Sequence, residues 1–198
     1  MVVTTTDRTT HLEVCLDRLM RTTPAPGEVI VVDNGSTARG VREIVRRATN
    51  VQTSVRLLEV DDCRLSTARN LGWREASGSV IGFLTDDVLT DRRWPSAALE
   101  TLASHPDAGC VTGLTFAAEL TTESQVAFEH AFGWSTMCGW EPFVLDPHAG
   151  RHTSSLFPYT LACFPPGAHC VFTRDTLAQL GGFDETLGAG TPAGGGED

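Results

Sequence analysis

The sequence predicts an α/β fold with a mostly parallel central sheet flanked by helices. Short runs of β-branched residues alternate with amphipathic stretches along the first half of the chain, which is the pattern of βαβ units. The length of 198 residues and the apolar content of 41% suit one substantial domain with a buried core. No apolar run approaches the roughly 18 residues that a membrane-spanning helix needs.

The predicted strands and helices follow one another in order. Five short apolar runs predict strands at residues 2–4, 28–32, 55–60, 80–84 and 109–112. Amphipathic spacing predicts helices at residues 11–21, 41–48, 66–76, 94–104, 119–134 and 173–180. Residues 138–166 carry five prolines and few helix signals. We therefore expect a long irregular loop there, and such loops are often functional.

Composition excludes several kinds of function. The formal charge of −10 argues against a protein that binds nucleic acid through its phosphates. All fifteen basic residues are arginine, so a lysine Schiff base, a Ser–Lys dyad and a P-loop lysine are excluded within this chain. The six cysteines form no CxxC pair, which indicates buried reduced thiols rather than a zinc framework. The first ten residues lack the features of a secretory signal peptide.

Carboxylates follow three of the predicted strands. Asp7 comes after the first strand, Asp33 after the second, and the pair Asp86-Asp87 after the fourth. Ligands of parallel sheets bind beyond the carboxyl ends of the strands, so these side chains mark a candidate site. Two adjacent carboxylates at the end of a buried strand repel each other, and a cation, a hydrogen-bonded ligand or exposure at a turn would resolve that conflict. Hard oxygen ligands at this place suit Mg²⁺ or Mn²⁺ bound with substrate phosphates.

Other catalytic motifs are missing or fail their context. The chain has no GxSxG elbow, and its histidines show neither HxH nor HExxH spacing. The segment from Gly188 to Ala193 formally matches GxGxxA, but no strand precedes it and Pro192 interrupts it. We therefore interpret that segment as a flexible loop and not as a dinucleotide fingerprint.

Five segments together resemble the GT-A family 2 glycosyltransferases. They are VVTTTDR (2–8), EVIVVDNGS (28–36), STARNLGWREASGSVIGFLTDD (66–87), GGFDE (181–185) and GGGED (194–198), in the order the family keeps. The resemblance runs over nearly the whole chain. It implies the GT-A (nucleotide-diphospho-sugar transferase) fold, transfer of a sugar with inversion, and Mg²⁺ or Mn²⁺ as cofactor.

The resemblance also implies a nucleotide site. Its residues would be Thr5, Thr6, Asp7, Asp33, Arg69, Asn70 and Asp86. The three residues at 5–7 would line the base and ribose end of the donor pocket, and Asp33 would bond the nucleobase. Arg69 and Asn70 would border the nucleotide, Asp86 would face the ribose, and Asp87 would bind the metal that bridges the diphosphate.

On the sugar and acceptor side, the resemblance implies Gly167, Ala168, His169 and Glu197, with Asp198 as catalytic base. Asp198 would deprotonate the acceptor hydroxyl during a direct displacement. Three positions differ from many relatives: Thr85 stands in place of a third Asp, Thr6 in place of a common aromatic residue, and His169 in place of Asn. His169 is therefore a candidate specificity residue.

The expected organisation is a single domain over residues 1–198. Residues 1–113 would form the nucleotide-binding half and residues 114–198 the sugar and acceptor half. Relatives continue past the ED pair, so we expect that the C-terminal part of the acceptor site is missing from this chain.

Several alternatives stay open. Loss of the acceptor part would leave a fragment that binds a nucleotide sugar without transferring it. A nucleotidyltransferase can share this sheet, but it would carry a glycine-rich loop after the first strand, and TTTDRTTHL has no glycine. In a purely structural module, Asp33, Asp86 and Asp198 would lie far apart.

The expected partners are a nucleoside diphosphate sugar donor and an unknown acceptor, either a saccharide, a lipid-linked molecule or a small molecule. No nucleic acid and no transmembrane segment are expected. The absence of Lys beside abundant Ala, Gly and Arg favours a GC-rich bacterial genome. We expect a cytoplasmic protein, with the inner membrane face as a second place of action.

Overall fold

A central sheet organises the chain in the computed structural model. The structure describes residues 1–37, 39–61, 63–133, 141–146, 168–188 and 191–196. Across these residues the sheet has six strands: β1 (Val2–Thr5), β2 (Glu28–Asn34), β3 (Ser54–Val60), β4 (Val80–Thr85), β5 (Cys110–Thr112) and β6 (His169–Thr173). Their order across the sheet is β3-β2-β1-β4-β6-β5.

The sheet is mostly parallel, as the sequence predicts. Strands β1 to β4 pair in parallel, and β6 runs antiparallel to both β4 and β5. All five predicted strands are confirmed. Strand β6 was not predicted, because its five residues follow the proline-rich segment and carry no strong alternation. Its pairing with β4 places Phe172 opposite Ile81 and Cys170 opposite Phe83. Strand β6 is therefore stabilised by pairing and packing in the core and not by its local sequence pattern.

Six helices within the described residues lie near the positions that amphipathic spacing predicts. They are α1 (Thr9–Met20), α2 (Val41–Ala48), α3 (Leu65–Glu75), α4 (Trp94–Ser104), α5 (Glu123–Phe132) and α6 (Arg174–Leu180). Helix α5 is shorter than the predicted helix at 119–134. Thr122 and Gln125 bond each other's backbone in a capping box that fixes its start, and Gly133 ends it.

The sheet separates two apolar layers, because successive strand residues point to opposite faces. On one face, Val3, Val29 and Val31 pack with residues of α1 and α2. On the other, residues of β1, β2 and β4 pack with α3 and α6, including Trp73 and Leu177. Because helices cover both faces of the sheet, a ligand can approach it at the ends of the strands.

The structure describes four of the six cysteines. Cys15 and Cys170 are buried, and Cys63 and Cys110 are partly buried. Burial raises the pKa of Cys15 to about 12, and the nearby carboxylates of Asp86 and Asp87 add to the effect. Such a thiol stays protonated and unreactive at neutral pH.

By its internal contacts the chain divides into two units. One comprises Met1–Thr112 and Gly167–Asp198, and therefore holds the whole central sheet. The other is Gly113–Pro166, in which α5 exposes the apolar side chains of Val126 and Phe128. Within the described residues, no helix is long and apolar enough to cross a membrane.

Candidate functional site

The strand register brings the predicted acids to one edge of the sheet. Thr5 at the end of β1 lies opposite Asp33 at the end of β2. On the other side of β1, Thr4 lies opposite Thr85, the last residue of β4. Because the strands are parallel, the residues that follow them emerge together at the carboxyl edge. Asp33, Asp86 and Asp87 therefore share this edge.

Asp86 is a buried carboxylate with two different neighbours. Its side chain is completely buried, and Oδ2 accepts a hydrogen bond of 2.7 Å from Thr5 Oγ1. The other oxygen, Oδ1, lies 2.8 Å from Arg8 Nη2 in an ion pair but accepts no hydrogen bond of good geometry from the described residues. Burial raises the pKa of Asp86, while Thr5 and Arg8 act in the opposite direction. Asp86 is thus a buried carboxylate with one oxygen hydrogen-bonded to Thr5 and the other held by the ion pair with Arg8.

Asp87 lies at the mouth of the same edge, with 47% of its side chain exposed. Thr85 Oγ1 donates to Asp87 Oδ1 at 2.6 Å, and Arg8 Nη1 donates to Oδ2 at 2.9 Å. Partial burial alone would raise the pKa of Asp87, but these bonds outweigh it and hold the pKa below its usual value. Asp87 is therefore ionised at neutral pH and is open to a ligand.

The loops after β1 and β2 are bonded to each other beside these acids. Asp7 has a left-handed φ of 55°, its amide donates to Ser36 Oγ at 2.9 Å, and its Oδ1 accepts from the Thr37 amide at 2.7 Å. Thr6 Oγ1 donates to the Asn34 carbonyl at 3.2 Å. Asp33, which is buried, accepts from the Ser36 amide at 3.2 Å. These bonds shape one wall of the site before any ligand arrives.

Two further predicted residues, Arg69 and Asn70, lie on α3 and are buried. The guanidinium of Arg69 stacks on the ring of Phe183, 5.1 Å from its centroid. The Asn70 side chain donates to the Phe183 carbonyl and to Glu185 Oε1, and it accepts from the Phe183 amide and the Trp73 indole. All four bonding positions of the Asn70 amide are thereby used. Asn70 holds the turn after α6, and its contact with a nucleotide stays a prediction.

Ala168 and His169 border the acids from the antiparallel strand. The Thr85 amide donates to the Ala168 carbonyl at 3.3 Å, and His169 lies opposite Leu84. The His169 ring is buried and meets Trp94 edge-to-face at 5.7 Å. Burial lowers the pKa of His169, so the ring is neutral at pH 7.

Three predicted residues, Gly167, Glu197 and Asp198, lie outside the described residues. The loop that leads to the last two is tight. The Gly188 amide donates to the Gly195 carbonyl at 3.1 Å, and Thr191 bonds back to Gly188. The roles of the acidic pair at 197–198 stay predictions.

Sequence reasoning missed Arg8, Ser36 and Thr37. Each belongs to or adjoins a segment that carries the family resemblance, but none was given a role. Arg8 could have been found from its charge, because it directly follows Asp7 at the edge where Asp86 and Asp87 converge. The other two follow Asp33 in a short polar turn, a usual place for hydroxyl-to-backbone bonds.

The comparisons with known proteins agree on one family. Residues 1–155 match the family described as glycosyl transferase family 2. Glycosyltransferase AglE of Haloferax volcanii is 34% identical over 77 residues, which cover 38% of this chain and 25% of that protein. The uncharacterized glycosyltransferase EpsJ of Bacillus subtilis is 34% identical over 76 residues, 38% of this chain and 22% of that protein. The matches thus span about a quarter of each curated relative.

Solved structures identify the fold. The mannosyltransferase PcManGT from Pyrobaculum calidifontis, solved with GDP-Man and Mn²⁺, superposes with a TM-score of 0.63 at 23% identity, covering 95% of this chain and 48% of its own. TarS 1–349 of S. aureus gives 0.65 at 18% identity, with 96% and 51% covered. At such identities the likeness establishes the fold, and the predicted GT-A fold is confirmed.

Proposed function

The chain belongs to glycosyl transferase family 2, and from this we propose that it moves a sugar from a nucleoside diphosphate sugar to an acceptor hydroxyl with inversion. One observation carries the proposal. Thr5, Asp33, Asp86 and Asp87 meet at the carboxyl edge of the sheet, where this class of fold binds its ligands.

The acids fit a divalent metal held together with a diphosphate. Asp86 offers a buried oxygen without a hydrogen bond, and Asp87 offers a half-exposed carboxylate beside it. Among the described residues no group of three or more His, Cys, Asp or Glu side chains could hold a metal alone. Mg²⁺ and Mn²⁺ commonly bind through one or two carboxylates plus substrate phosphates, and Asp86 and Asp87 would supply those carboxylates. When bound, the ion would stabilise the charge that develops on the departing nucleoside diphosphate.

The remaining roles fall to the chain's own side chains. Asp33 and the bonded loops around Asp7 would hold the base and ribose, because they are rigid and lie at the same edge. Ala168 and His169 would face the transferred sugar, since β6 borders the acids. A carboxylate oxygen of Asp198 would take the proton of the acceptor hydroxyl as its oxygen attacks the anomeric carbon. Attack opposite the leaving group inverts the anomeric configuration.

A second candidate function is binding of a nucleotide sugar without transfer. The observation that favours it is that the acids brought together at the sheet edge, Asp33, Asp86 and Asp87, all belong to the predicted donor site. This chain covers 48% and 51% of the two solved neighbours.

Release of the nucleoside diphosphate tests the proposal. The protein is incubated with Mn²⁺ and UDP-, GDP- or dTDP-sugars, alone and with saccharide acceptors, and the released nucleoside diphosphate is quantified by anion-exchange chromatography. We expect release from one donor, lost in Asp87→Ala and kept in Asp107→Ala, which removes an exposed carboxylate in the turn before β5. Binding of the donor without release of the nucleoside diphosphate would favour the binding function. No interaction with any donor would contradict both.

A further inference from the structure

Arg8 joins the two carboxylates of the candidate metal site. Its guanidinium places Nη2 2.8 Å from Asp86 Oδ1 and Nη1 2.9 Å from Asp87 Oδ2. The two contacts use different nitrogens of one guanidinium: Nη1 makes a hydrogen bond to Asp87, and Nη2 makes an ion pair with Asp86. A single positive charge therefore lies between two adjacent negative charges.

The remaining oxygen of each carboxylate is fixed by a threonine. Thr5 donates to Asp86 Oδ2 at 2.7 Å, and Thr85 donates to Asp87 Oδ1 at 2.6 Å. The threonines orient the carboxylates and leave one oxygen of each for a cation. Those two oxygens are the ones that Arg8 holds, so Arg8 and a metal ion would compete for the same atoms.

On the basis of the proposed function, we propose that Arg8 fills the metal position of the free protein and moves from the carboxylates to the diphosphate when the metal and donor bind. Arg8 is then a positioning residue with two alternative partners. It keeps buried Asp86 compensated in the free protein and adds a positive charge beside the donor phosphates in the complex.

The surroundings of Arg8 permit this exchange. Its side chain is 48% exposed, and its backbone is fixed at the start of α1, where its carbonyl accepts from the Leu12 amide at 3.0 Å. Only side-chain torsions must change for the guanidinium to leave. Once a divalent ion neutralises the carboxylates, the guanidinium loses its attraction there, and phosphate oxygens are the nearest strong acceptors for its fork.

The opposite possibility is a permanent ion pair. In that case Arg8 would remain on Asp86 and Asp87 in the complex, and it would serve as the sole cation of the site. Removal of Arg8 would then weaken the binding of both Mn²⁺ and nucleotide, or it would leave the binding of Mn²⁺ unchanged. The two possibilities therefore differ in whether removal of Arg8 increases the affinity for Mn²⁺.

Two titrations of the full chain separate them. In the first, Mn²⁺ alone is titrated into wild type and Arg8→Ala, and free Mn²⁺ is read by electron paramagnetic resonance. We expect Arg8→Ala to bind Mn²⁺ about tenfold more tightly, because the competing charge-assisted bonds are gone. In the second, UDP, GDP and dTDP are titrated in saturating Mn²⁺, and we expect Arg8→Ala to bind the nucleotide that wild type binds about tenfold more weakly.

Arg46→Ala is the matched control. It removes an arginine from the exposed ion pair with Glu43 on α2 and changes the net charge by the same amount. Exposed charges are screened by salt, so both of its affinities should stay within about twofold of wild type.

A second variant guards against loss of folding in Arg8→Ala. Arg8→Lys keeps a cation beside buried Asp86, but one ammonium lacks the fork that joins both carboxylates. We expect its Mn²⁺ affinity to rise about threefold, between the other two proteins. We also expect Mn²⁺ to raise the melting temperature of Arg8→Ala more than that of wild type, because the ion replaces the missing cation.

Tighter Mn²⁺ binding together with weaker nucleotide binding supports the exchange. Mn²⁺ affinity that is unchanged or lower in both Arg8 variants overturns it, and so does nucleotide affinity that is unchanged in Arg8→Ala. Failure of the proposed function looks different, because wild type itself would then bind none of UDP, GDP and dTDP in saturating Mn²⁺.

Discussion

Asn70 and Glu185 are 115 positions apart in the sequence and are joined by a hydrogen bond of 2.8 Å from Asn70 Nδ2 to Glu185 Oε1. Thr67 Oγ1 donates to the other carboxylate oxygen at 3.0 Å, one turn earlier on α3. These bonds lower the pKa of Glu185. Together they fasten the turn after α6, which leads to the acidic pair at 197–198, onto the helix that follows β3.

The first prediction concerns this fastening. In Asn70→Asp, both donors of the amide disappear and a second carboxylate faces Glu185, so we expect the free energy of unfolding to fall by about 2–4 kcal/mol. Urea denaturation measures it. Gln52→Glu makes the same chemical change on an exposed turn. It should lower the free energy of unfolding by less than about 0.5 kcal/mol. Equal losses in the two variants would show that the bond to Glu185 contributes nothing.

The second prediction concerns the packing of α3 on the sheet. A Cβ at Gly72 would run into the side chains of Val2 and Val32. We therefore expect Gly72→Ala to lower the free energy of unfolding by about 1–3 kcal/mol, despite the higher helix propensity of alanine. Gly27→Ala is the control, since a Cβ there would meet nothing within 4 Å. A Gly72→Ala protein as stable as wild type would contradict the close approach of α3 to β1 and β2.

The third prediction uses the opposite pKa shifts of the adjacent acids. Asp87 has a lowered pKa in the folded protein, so its contribution to stability is present above the usual 3.8 and is lost as the pH falls through the lowered value. Asp86 has a raised pKa, so the folded protein loses stability as the pH rises from 3.8 through the raised value.

Urea unfolding between about pH 3 and about pH 6 tests this pair of signs. The stability of wild type minus that of Asp87→Asn should grow as the pH rises, because only wild type gains from the ionised carboxylate. The stability of wild type minus that of Asp86→Asn should shrink over the same range. Differences that change in the same direction would refute the assignment of burial to Asp86 and of stabilising bonds to Asp87.

The fourth prediction concerns Thr85, the last residue of β4. Its hydroxyl fixes Asp87 Oδ1 at 2.6 Å, and Thr85→Val removes that donor at nearly constant volume. We expect the affinity for a nucleoside diphosphate in Mn²⁺ to fall about threefold to tenfold, the value of one hydrogen bond. Calorimetry measures it. Thr101→Val on exposed α4, where the hydroxyl bonds Ala97, should leave affinity unchanged, and an equal fall there would point to a general effect of the substitution.

The sequence predicts an element of this fold correctly where its local hydrophobic pattern matches its burial in the core. Strands β1 to β5 are short β-branched runs, and the acids that follow them lie at one edge because parallel strands leave no other arrangement. Strand β6 escaped prediction, because its place next to β4 is decided by pairing and not by composition. With β6 came the placement of His169 beside the acids, which only the family resemblance indicated.

Side-chain partners were much harder to foresee. The bond of Arg8 to Asp87 spans 79 positions, and no local pattern relates the two residues. Asn70 illustrates the same limit, since a resemblance can assign it to the nucleotide while the fold engages its whole amide with a turn over 110 positions away. Such contacts depend on how the sheet edge and the helix ends come together in three dimensions.

The proposed function and the role of Arg8 both require metal-dependent nucleotide binding at Asp86 and Asp87. The decisive measurement is calorimetric titration of UDP, GDP and dTDP into wild type, Asp87→Ala and Asp107→Ala, each with and without Mn²⁺. We predict that one nucleotide binds wild type and Asp107→Ala in the presence of Mn²⁺, and that Asp87→Ala loses this binding. Nucleotide binding by Asp87→Ala at wild-type affinity, or no binding by folded wild type, would contradict the account.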